Sequence, residues 1–434
     1  MRTRFAFVVA AAVVALGAPL HGQQPAAAPV QAPPVPLAEQ ARLQAAAQLT
    51  PVAPPRRDRA VVSWARRPRF RFGDDVTIDL TARVQSLAWL HDDLIVPGDE
   101  PPMADRISLP RRRVGMVGTI GDRIAFQAER DVTHDGVWRD LYVEARLSRA
   151  LRVRVGQFKV PFSLEQITSA YDLDFIARAS AASALAPLRS MGVMARGRVA
   201  SDAVEYEAAV LRSDHSLQLW RAGHERSLAG RLIVAPLRDG RRRGSKALQL
   251  SVATLLGSAP TGREGFAGET VMGTAFFHPM FISGRSRRLS AAAEWNGRHV
   301  SARAEALRST QQRLGQALDG GDLSDLIGSG WYATGTWHAV RGRKRLGSLD
   351  LAARLDRLGF GSARRTDEPF LNPRADHVAP VAKDALTLGA NLYLSRWVKL
   401  QGNAVRETLR DPLRMLPLGP DPLWSAALRL QVVM

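Results

Sequence analysis

The chain of 434 residues contains no cysteine. That excludes a disulfide framework, a thiolate metal site and the lipidated cysteine of an anchored lipoprotein. Beyond its amino terminus it has no apolar run approaching the roughly 20 residues that a helix needs to span a bilayer. It therefore stays in water or crosses a membrane as strands. Aromatic residues make up only 6%, with five tyrosines, so any aromatic girdle must be thin. Acids are scarce as well: 41 Asp and Glu stand against 60 Lys and Arg, a formal charge of +19. An imbalance of that size implies an anionic partner. Nine histidines are scattered without metal-ligand spacing, and neither a metal nor any other cofactor is expected.

Met1 to Gly22 joins arginines at positions 2 and 4 to an apolar run, Phe5 to Leu16, followed by small residues. Residues 1–22 read as a secretory signal peptide. An exported protein seldom meets nucleic acid, so the expected anionic partners are small solutes, phospholipid headgroups and lipopolysaccharide. Residues 23–69 are rich in Ala, Pro and Gln and read as a periplasmic linker, with a short helix-compatible piece at Leu37 to Leu49.

From residue 70 to 434 the period of apolar residues is two. Val76, Ile78, Leu80, Ala82 and Val84 alternate with Thr77, Asp79, Thr81, Arg83 and Gln85. Leu141, Val143 and Ala145 alternate with Tyr142, Glu144 and Arg146, and Val153 and Val155 with Arg152 and Arg154. Such segments are strands with one apolar and one polar face. About sixteen of them occur, several near the 9 to 11 residues of a tilted membrane strand, and an even number lets an antiparallel barrel close. Tight turns at Gly121, Arg149, Ser201, Asn296 and Arg396 alternate with long links over 91–106, 159–190, 257–284, 309–330 and 359–383. Short turns on one side and long loops on the other predict an all-β, closed antiparallel transmembrane β-barrel with long extracellular loops. A soluble β-sandwich is the competing fold, but its strands are shorter and these apolar faces are too rich in Ala and Gly to pack a double layer. Trp295, Trp331, Trp337 and Trp397 are the expected girdle.

In that topology the polar face lines the lumen. Inward basic positions include Arg83, Arg113, Arg146, Arg152, Arg154, Arg196, Arg198, Arg354, Lys399 and Arg429, against Glu129, Asp131, Glu144, Glu305 and others. Arginine in excess favours anions by Coulomb attraction in a narrow space, and its planar fork matches phosphate or carboxylate oxygens.

The stretch VRVGQFKVPFSLEQITSAYDLDFIARAS, followed by RSMGVMARG, resembles the phosphate-selective porin O and P family. RRRVGMVG, RDLYVEARLS, GANLYLSRWVKLQGN and the final LRLQVVM fall in the family's order, so the likeness covers most of the chain. The resemblance implies an outer-membrane porin of a Gram-negative-type bacterium, not an enzyme. It also implies a homotrimer whose third extracellular loop folds inward as the constriction, with anion ligands on the second strand, before the fourth, and along that loop. Carried over, these fall on Arg112, Arg113, Asp140, Ser169 and Arg178. The loop lysine of the family is replaced by Gln166, which puts phosphate specificity in question, and Lys159 at the loop's entrance is the candidate substitute. Met434 stands where the family ends in an aromatic residue.

Several motifs are set aside. Gly240 to Lys246 lacks the spacing of a phosphate loop, and with Arg341 to Arg345 it is expected near periplasmic headgroups. Arg285, Arg287 and Arg288 are expected at an extracellular strand end near lipopolysaccharide phosphates. A plugged structural barrel, or a hydrolase using His134 and Asp135, are the alternative functions.

Overall fold

The computed structural model describes residues 60–64, 67–91, 107–133, 137–212, 226–238, 246–342, 347–362, 373–376, 378–411 and 422–434. The segments read as signal peptide and linker up to residue 59, the pair His134 and Asp135, and residues 240–245 lie outside the described residues.

The alternating segment at Val76 becomes β3 (Val76–His91), preceded by a small hairpin of β1 (Ala60–Trp64) and β2 (Pro68–Phe72) that pairs with its first residues. Next come β4 (Ile107–Ile120), β5 (Ile124–Asp131), β6 (Trp138–Arg146), β7 (Arg152–Lys159), β8 (Arg189–Val199), β9 (Val204–Arg212), β10 (Arg226–Arg238) and β11 (Lys246–Glu264). Two short strands, β12 (Gly268–Glu269) and β13 (Ala275–Phe277), form a separate ribbon. The chain then continues through β14 (Phe281–Asn296), β15 (Val300–Arg313), β16 (Leu323–Val340), β17 (Ser348–Ser362), β18 (Val381–Tyr393), β19 (Val398–Arg410) and β20 (Leu423–Val433).

From β3 to β11 and β14 to β20, each strand pairs antiparallel with the next. The last returns to the first through Leu428↔Ala88 and Val432↔Val84. Sixteen strands thus close a barrel, which removes every free sheet edge within a membrane. Outward positions are apolar and exposed, among them Val84, Val143, Val155, Leu250, Trp295, Trp331 and Trp337. Inward positions are polar and buried, among them Gln85, Arg113, Glu129, Glu144, Arg354, Asn391 and Arg429. This inversion of a soluble protein's pattern follows from having lipid outside and water inside.

Two of the long links are shorter than their sequence suggests. β11 continues to Glu264 and β15 and β16 extend to Arg313 and from Leu323, because Ser, Thr, Gln and Gly at 309–312 and 328–330 blur the alternation without stopping the ladder. The wall is uneven: β5 to β9 have 8 to 11 residues each, whereas β10 and β11 and β14 to β19 have 13 to 19.

Candidate constriction site

β7 ends where Pro161, which has no N–H for the ladder, follows Val160. The chain leaves the wall there and folds into the barrel over residues 160–188, the third extracellular loop, carrying two short helices, α1 (Leu164–Ile167) and α2 (Ser180–Leu185). Its apolar side chains are buried: Phe162, Tyr171, Leu173, Phe175 and Leu185. Ser163 caps α1 by accepting from the Gln166 N–H. The other free amides at this helix start go to a wall residue. Glu305 on β15 accepts from Leu164 N at 3.0 Å, Glu165 N at 3.2 Å and Ser163 Oγ at 3.0 Å, and also from Ser290 and Tyr332. A carboxylate with five donors is a strong anchor, since removing it orphans amides that water cannot reach.

Several wall cations serve the loop in the same way. Lys399 donates to the carbonyls of Tyr171 and Leu173 at 3.0 and 3.2 Å, Arg429 to Ile176 at 3.2 Å, and Arg354 to Ala177 at 3.0 Å. Arg288, expected at the outer surface, is turned inward and donates to the Leu185 carbonyl at 2.8 Å. These basic side chains hold the loop against β14 to β20. Their charge is spent on loop carbonyls and, for Arg354, also on Asp356 and the loop's Glu165.

The opposite wall, β4 to β8, keeps its cations around the loop's other side. Arg111 and Arg113 on β4, Arg139 on β6, Lys159 on β7 and Arg189 on β8 surround Arg178 of the loop and act on one another's charge. Arg83 joins them from β3, paired with Glu129 at 2.9 Å. The carboxylates here are Glu129, Asp131 and Asp140: Arg113 meets Asp131 at 2.9 Å, Arg139 meets it at 3.4 Å, and Arg189 meets Asp140 at 2.8 Å. Seven cations therefore stand among three wall carboxylates, with the loop's Glu165 a fourth that acts on Arg178. Tyr171 lies beneath the guanidinium groups of Arg83 and Arg113, at 4.9 and 5.9 Å, and its ring keeps both in place. Lys159 points its ammonium at the carbonyls of Ile167 and Thr168, each 3.0 Å away. Arg178 donates to the carbonyls of Glu165 and Thr168. Burial, reinforced by Arg111 and Arg189 and opposed by Glu165, pushes Arg178 down to about 10. A group so placed is stabilised by any anion that enters.

Asp140, Arg113, Lys159 and Arg178 are thus brought together. Arg112 is not: it alternates to the outer face with Val84 and Val114, and the inward partner of Arg113 on β4 is Arg111. Gln166 is also outside the cluster. Its side chain is buried within the loop and donates to the Ala182 carbonyl at 3.1 Å, tying α1 to α2. Ser169 forms a turn, its hydroxyl accepting from Tyr171 N and its carbonyl from Asp172 N. Below the loop, toward the periplasmic turns, Arg146, Arg152, Arg154, Arg196 and Arg198 share the inward face of β6 to β8 with carboxylates. Arg154 meets Glu144 at 2.7 Å and Arg198 meets Glu205 at 3.2 Å, while Arg196 lies 3.9 Å from both Glu205 and Glu207.

Sequence reasoning missed Arg111, Arg139 and Arg189. Arg111 follows from alternation once Arg113 is fixed inward. Arg139 does not, because the β5–β6 register shifts between Ala128 and Arg130. It also missed a second inward loop. Residues 265–280, with β12 and β13, lay Phe266, Phe276, Phe277 and Met280 against Leu185 and Phe360, and Val271 N donates to Glu407 on β19 at 2.9 Å.

A closed sixteen-stranded barrel with polar lumen, apolar exterior and an inward third loop defines an outer-membrane porin. The family model for phosphate-selective porin O and P matches residues 93–412, and the chain belongs to that family. Solved structures share the fold at low identity. OmpT of Vibrio cholerae is 10% identical with a TM-score of 0.55, covering 83% of this chain and 98% of that one. The outer membrane channel DcaP of Acinetobacter baumannii is 11% identical with a TM-score of 0.53, covering 84% and 99%. An anion-selective porin from Comamonas acidovorans is 14% identical with a TM-score of 0.51, covering 83% and 100%. No curated protein matches the sequence. The protein is a non-enzymatic channel of the outer membrane.

Proposed function

We propose that this porin is a passive diffusion channel with a preference for anions, phosphate or polyphosphate among them. The observation that carries this reading is the cluster at the loop, where seven cations meet three wall carboxylates on the β3 to β8 side of the lumen. Arg113, Lys159 and Arg178 are the proposed anion contacts, with Arg111, Arg139 and Arg189 added by their position and Asp140 orienting Arg189. Arg146, Arg152, Arg154, Arg196 and Arg198 would hand the anion on toward the periplasm. The test is block of chloride current by phosphate in a planar bilayer. Dose-dependent block supports the proposal, and chloride current indifferent to phosphate rejects phosphate as the favoured solute.

The second inward loop favours one other reading, a structural barrel whose two loops close the lumen. Absence of any conductance from folded protein would select it. The partners proposed are outer-membrane lipid and lipopolysaccharide around the barrel and two further copies of the chain. The homotrimer is proposed from the likeness to the family, with the low wall of β5 to β9, whose strands have 8 to 11 residues each, as the face between copies.

A further inference from the structure

The high wall carries a feature that solute passage does not use. On β14 the outward positions, read downward from the extracellular end, are Arg285, Arg287, Leu289, Ala291 and Ala293. On β15 they are Arg308, Ala306 and Ala304, paired as Leu289↔Arg308, Ala291↔Ala306 and Ala293↔Ala304. Arg285, Arg287 and Arg308 are exposed, and among the described residues none makes an ion pair with a carboxylate. The contrast on the same outer face is plain: Arg357 and Arg410 both pair with Asp384. Arg287 stands eight residues above Trp295, which a tilted strand converts to roughly 20 Å, near the outer edge of a barrel's apolar band of about 25 Å.

Directly below the three arginines is a trough of about 540 Å³. Its floor is Ala291, Ala293, Ala304 and Ala306, and its sides are Val252 across from Ala291 and Trp331 across from Ala306. Small residues on two adjacent strands between larger ones make a groove of acyl-chain shape. Guanidinium groups without carboxylates sit where lipid phosphates lie, and a groove lined by apolar atoms runs down from them.

From this we infer a binding site for a phosphorylated glycolipid of the outer leaflet, its phosphates on Arg285, Arg287 and Arg308 and an acyl chain in the alanine trough. The inference deepens the proposed lipopolysaccharide partnership and rests on the reading that this high wall faces lipid while the low wall meets other copies. Charge complementarity selects the phosphorylated lipid over a zwitterionic one, and arginine's fork suits phosphate oxygens. Leu289 between the arginines and the trough marks the passage from headgroup to chain.

Native mass spectrometry of the full-length protein in detergent, titrated with bisphosphorylated lipid A or with phosphatidylethanolamine, tests this without any variant. Lipid A should bind at least tenfold more tightly, and equal retention of the two overturns the site. R287Q/R308Q should weaken lipid A binding about tenfold, and Ala304→Phe, which fills the trough but keeps the charges, should weaken it as well. Arg357→Gln, on a paired arginine of the same face, should not. If R287Q/R308Q lowers the oligomer mass and leaves lipid binding unchanged, the face belongs to a second copy and the inference fails. Chloride conductance measured on the same variants should stay at the wild-type value, so loss of the lipid site is separable from failure of the channel reading.

Discussion

In the proposed channel, charge at single residues sets which solutes pass. A basic side chain bound to a loop carbonyl and one left facing a solute path look alike in sequence, yet they do opposite work. Lys399, Arg354 and Arg429 are of the first kind, and Lys159 is the residue nearest the boundary between the two. Its ammonium reaches loop carbonyls and also stands among Arg189, Arg178 and Asp140. Lys159→Gln is expected to weaken phosphate block about tenfold, the loss of one charge-assisted contact; titration of single-channel current measures it. Gln166→Lys, which would restore the family's lysine, should not strengthen block. The new ammonium would be buried between α1 and α2 without the bond to Ala182, so the expected result is a lower melting temperature and unchanged affinity. Glu305→Ala leaves the amides of Leu164 and Glu165 without an acceptor, at a cost of about 1–3 kcal/mol for each buried group. The loop should detach in part, seen as larger and noisier single-channel currents.

Among the elements, strands and loops differ in how much of them the sequence discloses. The strands are legible because lipid outside and water inside impose a period of two regardless of partner, and the pattern at Val76 or Leu141 needs no tertiary knowledge. Where Gly and Ser occupy both faces, as near 328–330, the period fades and the ends of β15 and β16 were misjudged. The loops follow no period. That residues 265–280 turn inward was nevertheless signalled by Phe266, Phe276, Phe277 and Met280, too much apolar mass for an extracellular loop. The candidate constriction residues can be placed in part from sequence: alternation separates Arg111 and Arg113 from Arg112, whereas the burial of Gln166 depends on how α1 meets α2. Gly156 in β7 illustrates a local demand of the same scale. Its φ is +130°, and a Cβ would lie 2.2 Å from the Leu141 carbonyl oxygen of the neighbouring strand. Gly156→Val is expected to block correct folding of the low wall, read as loss of the heat-modifiable folded band on a gel.

For the whole molecule, the loop and the wall divide the charge between them. One side of the lumen, β14 to β20, spends its cations on holding the loop, and the other, β4 to β8, keeps an excess of positive charge beside it. The excess lies in a partly desolvated space, where screening by salt is weak. The measurement that tests this most directly is the zero-current reversal potential of the purified porin in a planar bilayer under a KCl gradient. The account predicts a potential of the sign set by chloride permeation, moving toward zero in Lys159→Gln and further in a variant that also carries Arg189→Gln. A potential of the sign set by potassium, or one that neither substitution moves, would contradict it.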